Sequence, residues 1–221
     1  LAISKIAFQV AVEANRVTPA TFPAVVSTAL LGAFPRALTE PEIIREVSTM
    51  TQWATSRGVR LSPDFNLNFA DDMAGLLANM IEEGIITRFE GGPETVYGIA
   101  AGQAPIASFY RNTIVHFFLT RAVAELALLA VSEQRQPVAT LEQFWAEVRE
   151  LRDLFKFEFF YPDTQEFEQQ IDAELCRDEP RWQSLLSERP DNARLIINRL
   201  SPKLGHVALT IFAEAYSVGT D

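Results

Sequence analysis

The stretch Asp71-Asp72-Met73-Ala74-Gly75-Leu76-Leu77-Ala78-Asn79-Met80-Ile81-Glu82-Glu83-Gly84-Ile85-Ile86 decides how the first half of this 221-residue chain is built. Leu76, Leu77, Met80 and Ile81 keep helical spacing, and the paired aspartates precede them where a helix dipole favours anions. Gly84 supplies the stop. Beyond it, Ile85–Phe89 and Thr95–Ile99 flank Gly91-Gly92-Pro93-Glu94, a spacing that predicts a β-hairpin with a short loop.

Working upstream, Thr39-Glu40-Pro41-Glu42 is a capping-box pattern with proline tolerated in the first turn. Ile43, Ile44, Val47, Met50, Thr51 and Ala54 form its inward stripe, and Gly58 closes the helix. Thr18-Pro19 predicts the start of an earlier helix, whose run Ala24–Leu31 is apolar on nearly all sides and stops near Gly32. The chain opens on a further amphipathic segment, with Ile3, Ile6, Ala7, Val10, Ala11 and Ala14 on its apolar face. Helix, helix, helix, hairpin is the order of a winged-helix module. In its DNA-binding versions, Lys and Arg on one helix and the wing meet phosphates. Residues 71–83 carry no cation, so a packing or protein-contact role is favoured over nucleic acid.

Downstream, Ala107–Val131 is the most apolar stretch. Arg111, His116, Arg121 and Glu125 interrupt it, and no uncharged run approaches the roughly 18 residues of a membrane span. Arg121 and Glu125 stand one helical turn apart and can pair. Thr140…Gln143 is a second capping box, opening a helix in which Leu141, Phe144, Trp145, Val148, Leu151, Leu154 and Phe155 keep helical spacing. It runs into Phe155-Lys156-Phe157-Glu158-Phe159-Phe160-Tyr161-Pro162, either core crossing between layers or an apolar lining for a lipid chain. Asp163–Leu175 predicts another helix, Ile196-Ile197 a short strand, and Leu204, Val207, Ala208, Ile211, Phe212 and Ala215 a last helix. The fold class is mainly α: a helical bundle with a small winged-helix-like β-hairpin, divided into residues 1–105 and 106–221.

Composition narrows the function. Hydrophobic residues make up 48% of the chain and charged ones 22%, which excludes disorder. Nineteen Lys and Arg against 29 Asp and Glu give a net charge of −10, a field that repels phosphate backbones at long range. Cys176 is the single cysteine and His116 and His206 are the only imidazoles, so no cysteine- or histidine-based metal site is expected, and nothing calls for a cofactor. The start at Leu1, with no basic, apolar and small-residue signal pattern after it, suggests a piece of something longer.

Catalytic signatures are missing: no phosphate-binding glycine loop, no G-x-S-x-G elbow, no H-E-x-x-H. Asp71-Asp72 and Glu82-Glu83 read as solvated helix-end charge. One constellation stands out within Ser108–Phe118. On a helix, Asn112 and His116 share a face at i, i+4, with Thr113 beside them. Arg111 and Asn112 could bind a phosphate or carboxylate, and His116 could hold a proton near neutrality. A polar layer stitching helices together is the competing reading.

At Tyr110-Arg111-Asn112-x-x-x-His116 and the Ala/Leu-rich helix after it, the chain resembles the C-terminal region of bacterial glycerol-3-phosphate 1-O-acyltransferases of the PlsB type. Ala14–Thr21 through Ala29–Gly32, Leu151–Phe160 and Glu214-Ala215-Tyr216 are similar to successive segments of that family, so the resemblance spans nearly the whole chain. The family's reaction depends on a His-x-x-x-x-Asp motif and on further motifs that hold glycerol phosphate. None occurs here: Arg121 stands five residues after His116 and Ile211 five after His206.

The resemblance therefore implies an acyltransferase domain upstream of Leu1. The whole enzyme would use acyl-CoA or acyl carrier protein and glycerol 3-phosphate, at the cytoplasmic face of the bacterial membrane and held peripherally. Catalytic residues in this chain are none. Arg111, Asn112 and His116 are the candidates for substrate binding or an interface, and Phe157, Phe159 and Phe160 for acyl-chain or membrane contact. The rival readings are a non-catalytic winged-helix module for regulation or protein contact, and a free-standing lipid-binding domain.

Overall fold

A computed structural model describes residues 2–63, 65, 70–133, 140–156, 159 and 161–210. The described chain forms two compact units, one of Glu13–Phe117 with Leu209 and Thr210, the other of Phe118–Ala208 with residues 2–12.

In the first unit the buried centre is α2 (Phe22–Ala33), every residue of which from Ala24 to Leu31 is buried. A helix apolar on all sides has no solvent face to offer, and α3 (Glu40–Ser56), α5 (Ala104–Asn112) and the sheet enclose it. It starts at Phe22 with Thr21 as N-cap and Pro23 in the first turn. The earlier Thr18 instead donates its hydroxyl to the Ala14 carbonyl at 2.9 Å, so Thr18-Pro19 is not the helix start the sequence suggested.

The capping box of α3 forms as predicted. Glu42 N donates to Thr39 Oγ1 at 3.4 Å, and Thr39 N donates to Glu42 Oε2 at 2.8 Å. Gly58 follows the helix with φ +78°, in the left-handed region that glycine tolerates. Helix α4 (Met73–Glu82) buries Met73, Leu77 and Met80, and Gly84 at φ +73° turns the chain into the hairpin β2 (Ile86–Phe89) and β3 (Val96–Ile99). A third strand, β1 (Leu38–Thr39), pairs antiparallel with β3 and makes the order β1-β3-β2. Two residues carry too little alternation to announce a strand. Thr39 thus ends a strand and caps a helix at once.

The second unit is built on α6 (Val115–Glu133), α7 (Thr140–Phe155), α8 (Thr164–Asp178), α9 (Trp182–Glu188) and α10 (Asn192–Arg199). Helix α8 keeps its predicted stripe of Phe167, Ile171 and Leu175 buried, and its N-cap Asp163 accepts from Glu166 N at 2.9 Å. Ile196 and Ile197 lie in α10, not in a strand, because Ile196 is needed on a buried helical face. Thr140 is the first residue of α7 and donates its hydroxyl to the Leu186 carbonyl, so a tertiary bond takes the place of the expected capping box. Of the apolar residues at helical spacing in α7, Phe144, Val148 and Phe155 are buried, while Leu154 is 56% exposed. Phe144, Trp145 and Trp182 form an edge-to-face cluster with centroids 4.9–5.6 Å apart. A last helix opens at Gly205; Leu204, Val207 and Ala208 are buried as predicted, and Ile211, Phe212 and Ala215 lie outside the described residues.

Helix α1 (Ala2–Val17) departs furthest from its pattern. Ala11, Val12 and Asn15 form its half-buried side, while Ile6, Ala7, Val10 and Ala14 of the apolar face are exposed.

The α3 cap carries a pH signature. The Thr39 backbone N–H, then the Arg36 guanidinium 2.6 Å away, draw the Glu42 carboxyl down from 4.5 to about 2. A depressed carboxylate stabilises the fold fully above its unfolded pKa and loses that contribution as pH falls through its folded value. Thermal unfolding from about pH 5 to about 2 therefore loses a component that Glu42→Gln abolishes. At neutral pH, Thr39→Ala costs about 1 kcal/mol in urea titration.

Candidate functional site

The chain between α5 and α6 breaks at Thr113-Ile114, where Thr113 Oγ1 bonds the Tyr110 carbonyl at 2.7 Å. Asn112 ends one helix and His116 lies in the first turn of the next. The single helix face that the i, i+4 spacing implied is therefore not formed, because the backbone turns between them.

Arg111 is 1% exposed. Its Nε and Nη2 donate to Asn112 Oδ1 at 3.1 and 2.9 Å, and its Nη1 donates to the Thr210 carbonyl at 2.5 Å. The guanidinium thus ties the end of α5 to the last helix, and Asn112 serves it as acceptor while itself lying exposed. His116 Nε2 lies 3.0 Å from the Asn15 carbonyl, a contact in which only an N–H can donate. Its ring packs on Phe117 with centroids 4.0 Å apart. Burial pushes the imidazole pKa below its usual 6.5, opposed by the bond to Asn15. Arg111 and Asn112 are brought together; His116 is directed to a different backbone segment.

Of the aromatic candidates, Phe159 is half-buried and meets buried Phe155 edge-on at 6.3 Å; Phe157 and Phe160 lie outside the described residues. Beside them Tyr161 packs on Phe167 at 5.0 Å, and Arg152 donates to the Pro162 carbonyl at 2.8 Å. Burial raises the Tyr161 pKa above its usual 10.

The densest charge cluster was only half visible in the sequence. Arg121, fully buried, donates to Glu125 Oε1 at 3.1 Å as the i, i+4 spacing implied. It also reaches Asp178 Oδ2 at 2.6 Å, Glu174 Oε1 at 3.4 Å and the Pro202 carbonyl at 3.2 Å. Glu125 in turn accepts from Leu204 N and Gly205 N at 2.7–2.9 Å, an anion seated on the first turn of the last helix. A Cβ at Gly205 would stand 3.1 Å from Glu125 Oε2, so glycine permits this close approach. Partners 53 and 57 residues away leave no spacing signal.

Helix α6 is apolar and long enough to cross a membrane by length and composition. Arg121 and its carboxylates at mid-helix, and burial of most of its side chains within the fold, mark it as a core helix. Around α4 and the hairpin, Asp71, Asp72, Glu82, Glu83, Glu90 and Glu94 are exposed, and the single cation, Arg88, is paired to Glu90 at 3.0 Å. That surface repels nucleic acid. Among the described residues no group of three His, Cys, Asp or Glu is placed to hold a metal ion.

The described residues define a helical region in which the Arg111 and Arg121 guanidiniums are buried and join its own elements, while other charges, such as Arg88 and Glu90, lie at the surface. The chain belongs to the glycerol-3-phosphate acyltransferase C-terminal region family, whose match covers residues 1–221. Among curated proteins it is 32% identical, over 223 residues, to the protein named "Putative acyltransferase plsB1" of Mycobacterium bovis and to that of Mycobacterium tuberculosis. The alignment takes in 99% of this chain and 35% of each relative, so the chain spans about a third of their length. No solved structure matches it.

Two outcomes check the geometry. Arg121→Met leaves three carboxylates without their shared guanidinium and costs about 3–5 kcal/mol in urea unfolding, whereas exposed Arg36→Ala costs under about 1. His116 titrates by NMR with a midpoint below 6.5. Because its folded pKa is depressed, stability is lost as pH falls below the unfolded value, and His116→Phe removes that loss.

Proposed function

We propose that the polypeptide containing this chain transfers a fatty acyl group from acyl-CoA or acyl carrier protein to the sn-1 hydroxyl of glycerol 3-phosphate, the first step of phospholipid synthesis. The observation that carries this reading is the family match over the whole chain. The name acyltransferase on relatives aligned to 99% of the chain supports it. The reaction needs a base to take the proton of the glycerol hydroxyl as it attacks the thioester carbonyl, with the thiolate leaving. The sequence offers no His-x-x-x-x-Asp arrangement for that step, so the chemistry belongs to the part of the polypeptide outside residues 1–221.

In this reading the helical region packs against the catalytic part, and the enzyme works peripherally at the cytoplasmic face of the membrane. Arg111 and His116 act as ties. A guanidinium 1% exposed and bonded to Asn112 and Thr210 is positioned to hold the end of α5, and this supports the stitching role over substrate contact. The edge contact of half-buried Phe159 with Phe155 supports a core role for it; Phe157 and Phe160 stay candidates for acyl or membrane contact.

The full-length polypeptide should form 1-acylglycerol 3-phosphate from labelled glycerol 3-phosphate and an acyl thioester, and residues 1–221 alone should not. Turnover by the 221-residue chain would overturn the assignment of the chemistry elsewhere. Arg111→Met should lower the melting temperature while leaving kcat/KM within about twofold when assayed well below it, since less than about 0.4 kcal/mol of transition-state binding is involved. A loss of kcat/KM at unchanged stability would return Arg111 to substrate contact.

A further inference from the structure

The exposed side of α1 is a continuous stripe. Ile6 and Val10 are each 62% exposed, Val17 is 59% exposed, and Ala14 between them is exposed too. At about 100° per residue these four fall within roughly a quarter of the helix circumference, over about 17 Å of its length. Single exposed apolar residues are ordinary; four in register along one helix are the pattern of a face that another element covers. Each branched side chain left in water forgoes about 25 cal/mol for every Å² that burial would remove.

We infer that this stripe is the seam on which the acyltransferase part of the same polypeptide packs, an inference that rests on the proposed function. This region makes up 35% of the relatives' length and is by family their C-terminal region, so a large body of chain precedes α1 in those proteins. A tethered partner meets α1 at high effective concentration and needs little area to stay docked. Four small side chains fall well short of the roughly 800 Å² per partner that a free-standing dimer needs. A lipid surface suits them less: the stripe holds no aromatic anchor, and exposed Glu13 borders it. Ile, Val and Ala with short, stiff side chains suit the close ridge-into-groove approach of another helix.

The test uses the full-length polypeptide with benzoylphenylalanine replacing Val10, irradiated and mapped by peptide mass spectrometry. Cross-links to peptides that precede residue 1 are expected. A dimer-sized product, adducts to phosphatidylglycerol and phosphatidylcholine vesicles, or no cross-link to the preceding chain would each overturn the seam. The double variant Ile6→Asp, Val10→Asp should be cut by trypsin several-fold faster just before α1, while Leu154→Asp, an exposed apolar residue off the stripe, should not change the pattern. Should the double variant fail to fold, the cross-link still decides. Acylation by the unsubstituted polypeptide is measured separately: cross-links without acylation keep the seam and sink the enzyme reading, and acylation without them does the reverse.

Discussion

The second unit depends on where Arg121 puts its charge. A guanidinium carried into the protein interior loses its hydration, and the cost is recovered only if every donor finds an acceptor. Here Glu125, Glu174, Asp178 and the Pro202 carbonyl take those donors, and Arg177 stands 3.8 Å from Glu174 as a second cation. Three carboxylates are thereby balanced by two guanidiniums and the positive end of the helix that opens at Gly205. Such a cluster adds little net stability over well-packed apolar side chains, but it is intolerant of rearrangement. A slip of helix α6 against helix α8 or the turn before the last helix would leave a buried charge without its partner.

The same logic governs the first unit at lower stakes. Arg111 closes α5 onto the last helix through the Thr210 carbonyl, and the neutral acceptors Asn112 Oδ1 and Thr210 O carry the donors. Arg111, one of the candidate binding residues, makes these bonds within the fold, while its acceptor Asn112 stays exposed. Charge thus organises the interior of both units, while the α1 stripe stays apolar and exposed.

Much of the fold was legible in the residues. The Thr39…Glu42 capping box, the stripes of α3, α4 and α8, the glycines at 58 and 84 and the hairpin all follow from local rules of spacing and capping. The misreadings share one cause. Ile196-Ile197 looks like a strand until its neighbours demand a helical face, Thr140 looks like a cap until Leu186 offers a carbonyl, and Asn112 and His116 look like one face until the chain turns at Thr113. Helix α1 forms where its periodicity put it, but most of its apolar face is exposed, since periodicity identifies an apolar face without saying what covers it.

By itself, then, the sequence determined a mainly helical, acidic chain, a hairpin after the helix within residues 71–83, the family it belongs to and the absence of the family's catalytic motif from residues 1–221. Those are properties of neighbouring residues and of spacings within a few turns. Only the tertiary structure decided that Arg121 gathers Glu174 and Asp178 across more than 50 residues, that Arg111 faces inward, and that the apolar side of α1 faces out. Ion pairing, burial and exposure depend on which segments meet in space, and that is fixed by the simultaneous satisfaction of many distant groups.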